Sequence, residues 1–324
     1  MTASTLSAPV ASVAPRAQTI SFENRSSRFA FEITGPRGAP VVVVLGGISA
    51  SRHVTATESD PRRGWWEEFV GPGKVIDTNR FRVVGMDYRA AAEHARAVTT
   101  HDQALALARA LDLAQIPRVR AIVGASYGGM VALAFGAIAP RRVEHLVVIG
   151  AAHESAPLAT ALRILQRRIV DLGIATGKSR EALVIARGLA MTSYASVEEF
   201  SHRFGGSDGR EASDKCEEIG AFLTDSGETF AVACTPERFL ALSQSLDLHR
   251  VKPEDVRAPT TLIAVHEDAL VPLDQIRELA ARIGASCNLV EIRSRYGHDT
   301  FLDEPALLAP FVARCIEPEA GTLS

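Results

Sequence analysis

Short, unbroken apolar runs recur along the chain, each closing on small or turn-forming residues. They are Pro40 to Leu45, Phe81 to Met86, Ala121 to Val123, Leu146 to Ile149, Thr260 to Val265 and Asn288 to Ile292. Runs this short and this continuous suit parallel strands buried on both faces. Helix-forming stretches separate several of them: His101 to Leu113 behind a candidate cap at Thr100, Met130 to Ile138, and Leu273 to Ile283 after Pro272. Strand and helix alternating in this way predict a doubly wound, mostly parallel sheet.

From Glu154 to Val256 the rhythm breaks. Leu158 to Leu172, Arg180 to Met191, Ser196 to Phe204 and Glu237 to Leu246 are helix formers with no buried strand among them. The pattern predicts a helical cap over 154–256, inserted between two sheet-forming portions, 18–153 and 257–316. Gly205-Gly206-Ser207-Asp208-Gly209 reads as a flexible connection inside that cap, and residues 1–17 as a disordered tail. There are no internal repeats.

Composition narrows the function. The 324 residues are 47% hydrophobic, enough for a sizeable core, and 35 lysines and arginines nearly balance 38 aspartates and glutamates. A net charge of -3 gives no electrostatic reason to expect nucleic acid or an anionic membrane as partner. No apolar run approaches the roughly 20 residues of a membrane helix, and the N-terminal stretch lacks the pattern of a secretory signal. A cytoplasmic enzyme of small molecules is the expectation. Cys216, Cys234, Cys287 and Cys315 are scattered and have no histidines at metal-ligand spacing, which predicts free thiols and no metal.

The chemistry centres on Gly124-Ala125-Ser126-Tyr127-Gly128, followed by Gly129. A strand precedes it and a helix follows, the setting of a nucleophile elbow, and together they predict an α/β-hydrolase fold with an inserted helical cap. A serine hydroxyl is a poor nucleophile near neutral pH, so it needs a base, and the base needs an orienting acid. In this fold the order along the chain is Ser, acid, His. Asp268 follows the strand Thr260 to Val265, and His298 follows the next strand in a Gly-His turn. Glu267 and Asp274 compete with Asp268 for the acid's place. Backbone N–H groups of Tyr127 and Gly47 are the candidate oxyanion donors, with Gly46 and Ile48 close alternatives to Gly47.

The chain also resembles the homoserine O-acyltransferase family, acetyl- and succinyl-transferring members alike. The matching segments are Gly64-Trp65-Trp66, Val70-Gly71-Pro72-Gly73-Lys74 through Phe81, the elbow to Leu133, Ala186 to Ser196 with Phe200 and Arg203-Phe204-Gly205, and Tyr296 to Leu302. The resemblance implies a two-step transfer from acyl-CoA, a co-substrate rather than a cofactor, to L-homoserine in methionine biosynthesis, by a homodimer. It implies that Arg187 holds the homoserine carboxylate, Asp299 its ammonium, and that Tyr194 lines the pocket. From the residues alone, Arg187 is a surface charge of a cap helix and Asp299 a helix cap before Phe301. Succinyl-transferring relatives tend to carry arginine two residues after the triad aspartate. Leu270 stands there and tilts the expectation to acetyl-CoA, while Arg52, beside the oxyanion loop, offers a cation for a succinyl carboxylate. Two departures from the family pattern, in Leu45 to Val54 and after Met86, imply a differently built substrate tunnel. Rival readings are a serine acceptor, an esterase or peptidase of the same fold, and a non-catalytic binding protein.

Overall fold

The computed structural model describes residues 18–24, 27–90, 97–205 and 211–317. The expected tail and most of the Gly205–Gly209 connection lie outside them. In chain order the strands are β1 (Gln18–Asn24), β2 (Ser27–Thr34), β3 (Val41–Leu45), the two-residue β4 (Val70–Gly71) and β5 (Ile76–Asp77), β6 (Arg82–Met86), β7 (Val119–Ala125), β8 (Val143–Ile149), β9 (Thr260–Val265) and β10 (Cys287–Ile292). The helices are α1 (Thr100–Leu113), α2 (Tyr127–Ile138), α3 (Pro157–Ala175), α4 (Ser179–Tyr194), α5 (Val197–Phe204), α6 (Ala212–Ala233), α7 (Pro236–Asp247), α8 (Leu273–Arg282), α9 (Thr300–Asp303) and α10 (Ala309–Ile316).

Eight strands form one sheet in the order β1-β2-β6-β3-β7-β8-β9-β10. From β6 to β10 every neighbouring pair is parallel, while β1 with β2 and β2 with β6 are antiparallel. The continuous apolar runs are strands because both faces of this sheet are covered. In β3, Val41, Val43 and Leu45 enter the core that also takes Leu107 and Leu111 of α1, Phe135 of α2 and Ile276 of α8. Val42 and Val44 point the other way, into a second core with Trp66, Phe69 and the α10 residues Val312 and Ile316. The hairpin β1–β2 was absent from the sequence reading. Its residues largely alternate apolar and polar, as in Ile20-Ser21-Phe22-Glu23 and Phe31-Glu32-Ile33-Thr34, rather than running on unbroken.

Helix ends follow local chemistry. Thr99, not Thr100, caps α1: its hydroxyl accepts from the Asp102 amide while the Asp102 carboxylate accepts from the Thr99 amide. Thr100 is fully buried instead, bonded to His249 Nδ1 at 2.8 Å. Five helices, α3 to α7, lie between β8 and β9. The longest, α6, also escaped the sequence reading, since it buries only Gly227 and Phe230 and its pattern is mostly polar. Val170, Leu183, Ala186, Phe230, Cys234 and Phe239 give these helices a small core of their own. Polar contacts tie them to the sheet portion: Tyr127 to Ser245 at 2.7 Å, and Arg238 to the Tyr88 carbonyl at 2.7 Å. Among the described residues no helix is long and apolar enough to cross a membrane, and no two cysteines are bonded.

Phe135 is fully buried where α2 crosses the sheet. Phe135→Ala should lower the unfolding free energy by about 3–5 kcal/mol in urea titrations, the usual cost of an aromatic-sized cavity; a loss below about 1 kcal/mol would mean that α2 repacks freely.

Candidate active site

Ser126 sits at the junction of β7 and α2 with φ 54° and ψ -121°, in a region that L-residues rarely occupy. Two close approaches hold it there. A Cβ on Gly128 would stand 2.2 Å from the Leu45 carbonyl oxygen, and one on Gly124 would stand 2.3 Å from the Gly128 oxygen. Glycine at both positions lets the turn close against β3, and the Gly128 amide donates to the Gly46 carbonyl at 2.9 Å. The strain is thereby confined to one residue, whose hydroxyl is left facing outward.

His298 lies in a single 3-10 turn, Gly297–Asp299, beyond β10. Its Nε2 is 2.8 Å from Ser126 Oγ, and its Nδ1 is 2.7 Å from Asp268 Oδ2. The other carboxylate oxygen of Asp268 accepts from the Leu270 and Val271 amides at 2.8 and 3.0 Å, which fixes the group in its turn after β9. Of the three candidate acids, Asp268 is the one that faces His298. Glu267 turns to the Ser294 amide and to Arg293, and Asp274 is exposed against Arg277. Burial opposes a charge on His298, but the adjacent Asp268 carboxylate outweighs it, and the imidazole pKa is raised above the ordinary value of about 6.5.

Tyr127 opens α2, so its amide has no acceptor within the helix. Its side chain points away into the core, where the hydroxyl meets Ser245 and Gln103 and burial lifts its pKa to about 12. Gly47 stands in the loop after β3 and lines the same cavity as Ser126 and His298, and so does Ile48. An oxyanion requires two such donors, and the Tyr127 amide at the start of α2 and the Gly47 amide in this loop are the candidate pair.

The cavity reaches from the triad into the helical insertion. Arg187 of α4, Tyr194 and Asp299 all line it. The Arg187 guanidinium lies 4.9 Å from the Tyr194 ring centre and 5.0 Å from that of Phe230, over both faces. Its buried Nε has no hydrogen-bond partner. Arg187 is therefore not the surface charge its helix suggested. Asp299 makes no side-chain cap to α9; burial pushes its carboxyl up, against the pull of His298 and Arg187. A cation and a carboxylate thus face one cavity from separate elements, a suitable clamp for a zwitterion.

Leu270 is in the cavity wall. Arg52 is not: its backbone amide donates to Asp87 Oδ1 at 2.8 Å and its guanidinium pairs with Asp87 Oδ2. The aspartate that follows β6 holds the Arg52 side chain outside the cavity lining. Sequence reasoning missed Arg163, which does line the cavity. One signal was available, because Arg163 lies four residues after Ala159 and three before Gln166, both buried on the inner stripe of α3.

A strained serine elbow, an imidazole and a buried carboxylate at the carboxyl ends of parallel strands define the α/β-hydrolase class. A family model described as the alpha/beta hydrolase fold matches residues 40–171. The homoserine O-succinyltransferase of Xanthomonas campestris pv. campestris is 39% identical over 283 residues, 86% of this chain and 76% of that protein. The homoserine O-acetyltransferase of Thermus thermophilus is 30% identical over 325 residues, covering 86% and 82%. The chain belongs to the homoserine O-acyltransferase family and is an acyltransferase. In fold it matches the crystal structure of homoserine O-acetyltransferase from Bacillus anthracis with a TM-score of 0.81 over 95% of this chain and 99% of that one, at 17% identity.

Labelling of Ser126 by a fluorophosphonate should require neutral His298, so its rate should fall as pH drops, with a midpoint above about 6.5. Asp268→Asn removes the raising charge and leaves burial, which lowers the pKa. The midpoint should move to lower pH and the rate should fall about 10³–10⁴-fold; an unmoved midpoint in stopped-time labelling would detach Asp268 from His298.

Proposed function

We propose that the protein transfers an acyl group from acyl-CoA to the hydroxyl of L-homoserine through an ester on Ser126. The observation that carries this reading is the combination in one cavity of the Ser126–His298–Asp268 relay with the Arg187 and Asp299 pair. A general esterase has no use for a cation and a carboxylate set to hold an amino acid. The names of the relatives, homoserine O-succinyltransferase and homoserine O-acetyltransferase, support the same acceptor.

In the first half-reaction Ser126 Oγ attacks the thioester carbon as its proton passes to His298 Nε2. The amides of Tyr127 and Gly47 take the oxyanion, and Asp268 stabilises the imidazolium. The C–S bond then breaks, and the CoA sulfur leaves with the proton from His298. In the second, the homoserine hydroxyl gives its proton to His298 and attacks the ester carbonyl. Ser126 departs with that proton, leaving O-acylhomoserine. Arg187 pairs with the substrate carboxylate, for which its planar fork is suited, and Asp299 with the ammonium. The helical insertion over the triad restricts water, which would otherwise hydrolyse the ester.

Release of free CoA with homoserine, serine and water as competing acceptors tests the reading. Homoserine should be the preferred acceptor with ping-pong kinetics, and Ser126→Ala should lose at least about 10⁴-fold. Arg187→Ala should raise the homoserine KM by about 30–1000-fold while Ser126 is still acylated without acceptor. A ternary-complex pattern, or water matching homoserine, would refute the scheme.

A further inference from the structure

Arg163 belongs to none of the roles above, yet it is largely covered and lines the same cavity as the reacting serine. Its side chain is 12% exposed and lines the cavity with Ser126. Nε donates to Asp247 Oδ1 at 2.7 Å and Nη2 contacts Ser155 Oγ; Nη1 takes part in neither. Asp247, 11% exposed, also pairs at 2.7 Å with Arg167, whose Nη1 donates to Ser243 at 3.0 Å. Two guanidiniums share one carboxylate. The group carries a surplus positive charge where desolvation makes surplus charge costly.

The cavity lining holds three other charged side chains. Arg187 and Asp299 face each other's field, and Glu154 lies 3.9 Å from Arg250. If homoserine binds as proposed, its carboxylate and ammonium use Arg187 and Asp299, and Arg163 is left over. The acyl chain already occupies Ser126 when homoserine arrives, so it needs its own place in the cavity. Arg163 is near enough for its charge to act on His298.

From this we infer that Arg163 selects the acyl donor by pairing with the terminal carboxylate of a dicarboxylic acyl group, of which succinyl is the plain case. Asp247 and Ser155 fix the guanidinium, and the acyl carboxylate supplies the missing negative charge. An acetyl group supplies none. The inference rests on the acyl-enzyme chemistry proposed above and reverses the acetyl preference drawn from Leu270. The apolar Leu270 borders the chain without reading its end.

The test measures acylation of Ser126 by intact-protein mass spectrometry and CoA release, with succinyl-CoA or acetyl-CoA and no acceptor. Wild-type kcat/KM should favour succinyl-CoA by at least about 30-fold, and in Arg163→Gln the succinyl-to-acetyl ratio should fall by about 100-fold. Arg163→Lys, which keeps the charge and loses the fork, should fall between them. A wild type that prefers acetyl-CoA overturns the inference. So does an unchanged ratio in Arg163→Gln or, should that variant not fold, in Arg163→Lys. Adding homoserine afterwards separates the two claims: a succinyl-enzyme that homoserine fails to discharge sinks the acceptor and leaves the donor assignment standing, whereas failure of both donors to acylate sinks both.

Discussion

The approach of the elbow to β3 is the constraint on which the site depends. Gly128 lies so near the Leu45 carbonyl that no side chain fits, and its amide closes on Gly46. That contact forces the positive φ of Ser126, starts α2 at Tyr127 and sets the free amide of Tyr127 beside the loop that carries Gly47. One backbone approach thus sets the angle of the hydroxyl, one candidate oxyanion donor and the distance to the other. Tyr127 extends the effect, because its ring is clamped against Tyr88 and its hydroxyl reaches Ser245 on α7. The sheet and the helical insertion are therefore registered through the residue next to Ser126.

Electrostatics divides the cavity by role. The His298–Asp268 pair is buried and internally satisfied, so its charges are already matched and leave none over for a ligand. Arg187 keeps an unpartnered buried nitrogen and packs between two aromatic rings, and Asp299 is kept from ionising easily by burial. Groups left incompletely paired inside a protein are costly unless a ligand completes them. That cost falls on α4 and on the turn after β10, elements that approach each other where Gly297, at φ 55°, passes the Tyr194 carbonyl.

Much of this was legible in the sequence, and the reasons differ by element. The central strands announced themselves because burial on both faces demands unbroken apolar runs, whereas the β1–β2 hairpin alternates and was passed over. Helix α6 was illegible because it buries only Gly227 and Phe230, which leaves its pattern mostly polar. Ser126, Asp268 and His298 were legible from order and strand context, since the fold dictates both. Arg187 and Asp299 came only through family resemblance: a lone arginine on a helix carries no sign of which way it points. The direction of Arg52 was hidden for the same reason, as its partner Asp87 lies 35 positions away, beyond any local pattern.

Arg163 marks the boundary between those cases. Its position on the inner stripe of α3 is a local property, open to anyone who asks which face of the helix is apolar. Its meaning is not local, because Asp247 and Arg167 must be brought to it before the surplus charge exists. A buried arginine with its own private carboxylate would be a structural ion pair and would say nothing about substrates. Sharing that carboxylate between two guanidiniums leaves the trio one positive charge in excess, which a carboxylate entering the cavity would balance. Since a Ser–His–Asp arrangement serves hydrolases and acyltransferases alike, it is imbalances of this kind in the helical insertion, rather than the relay, that can tell one acyl group from another.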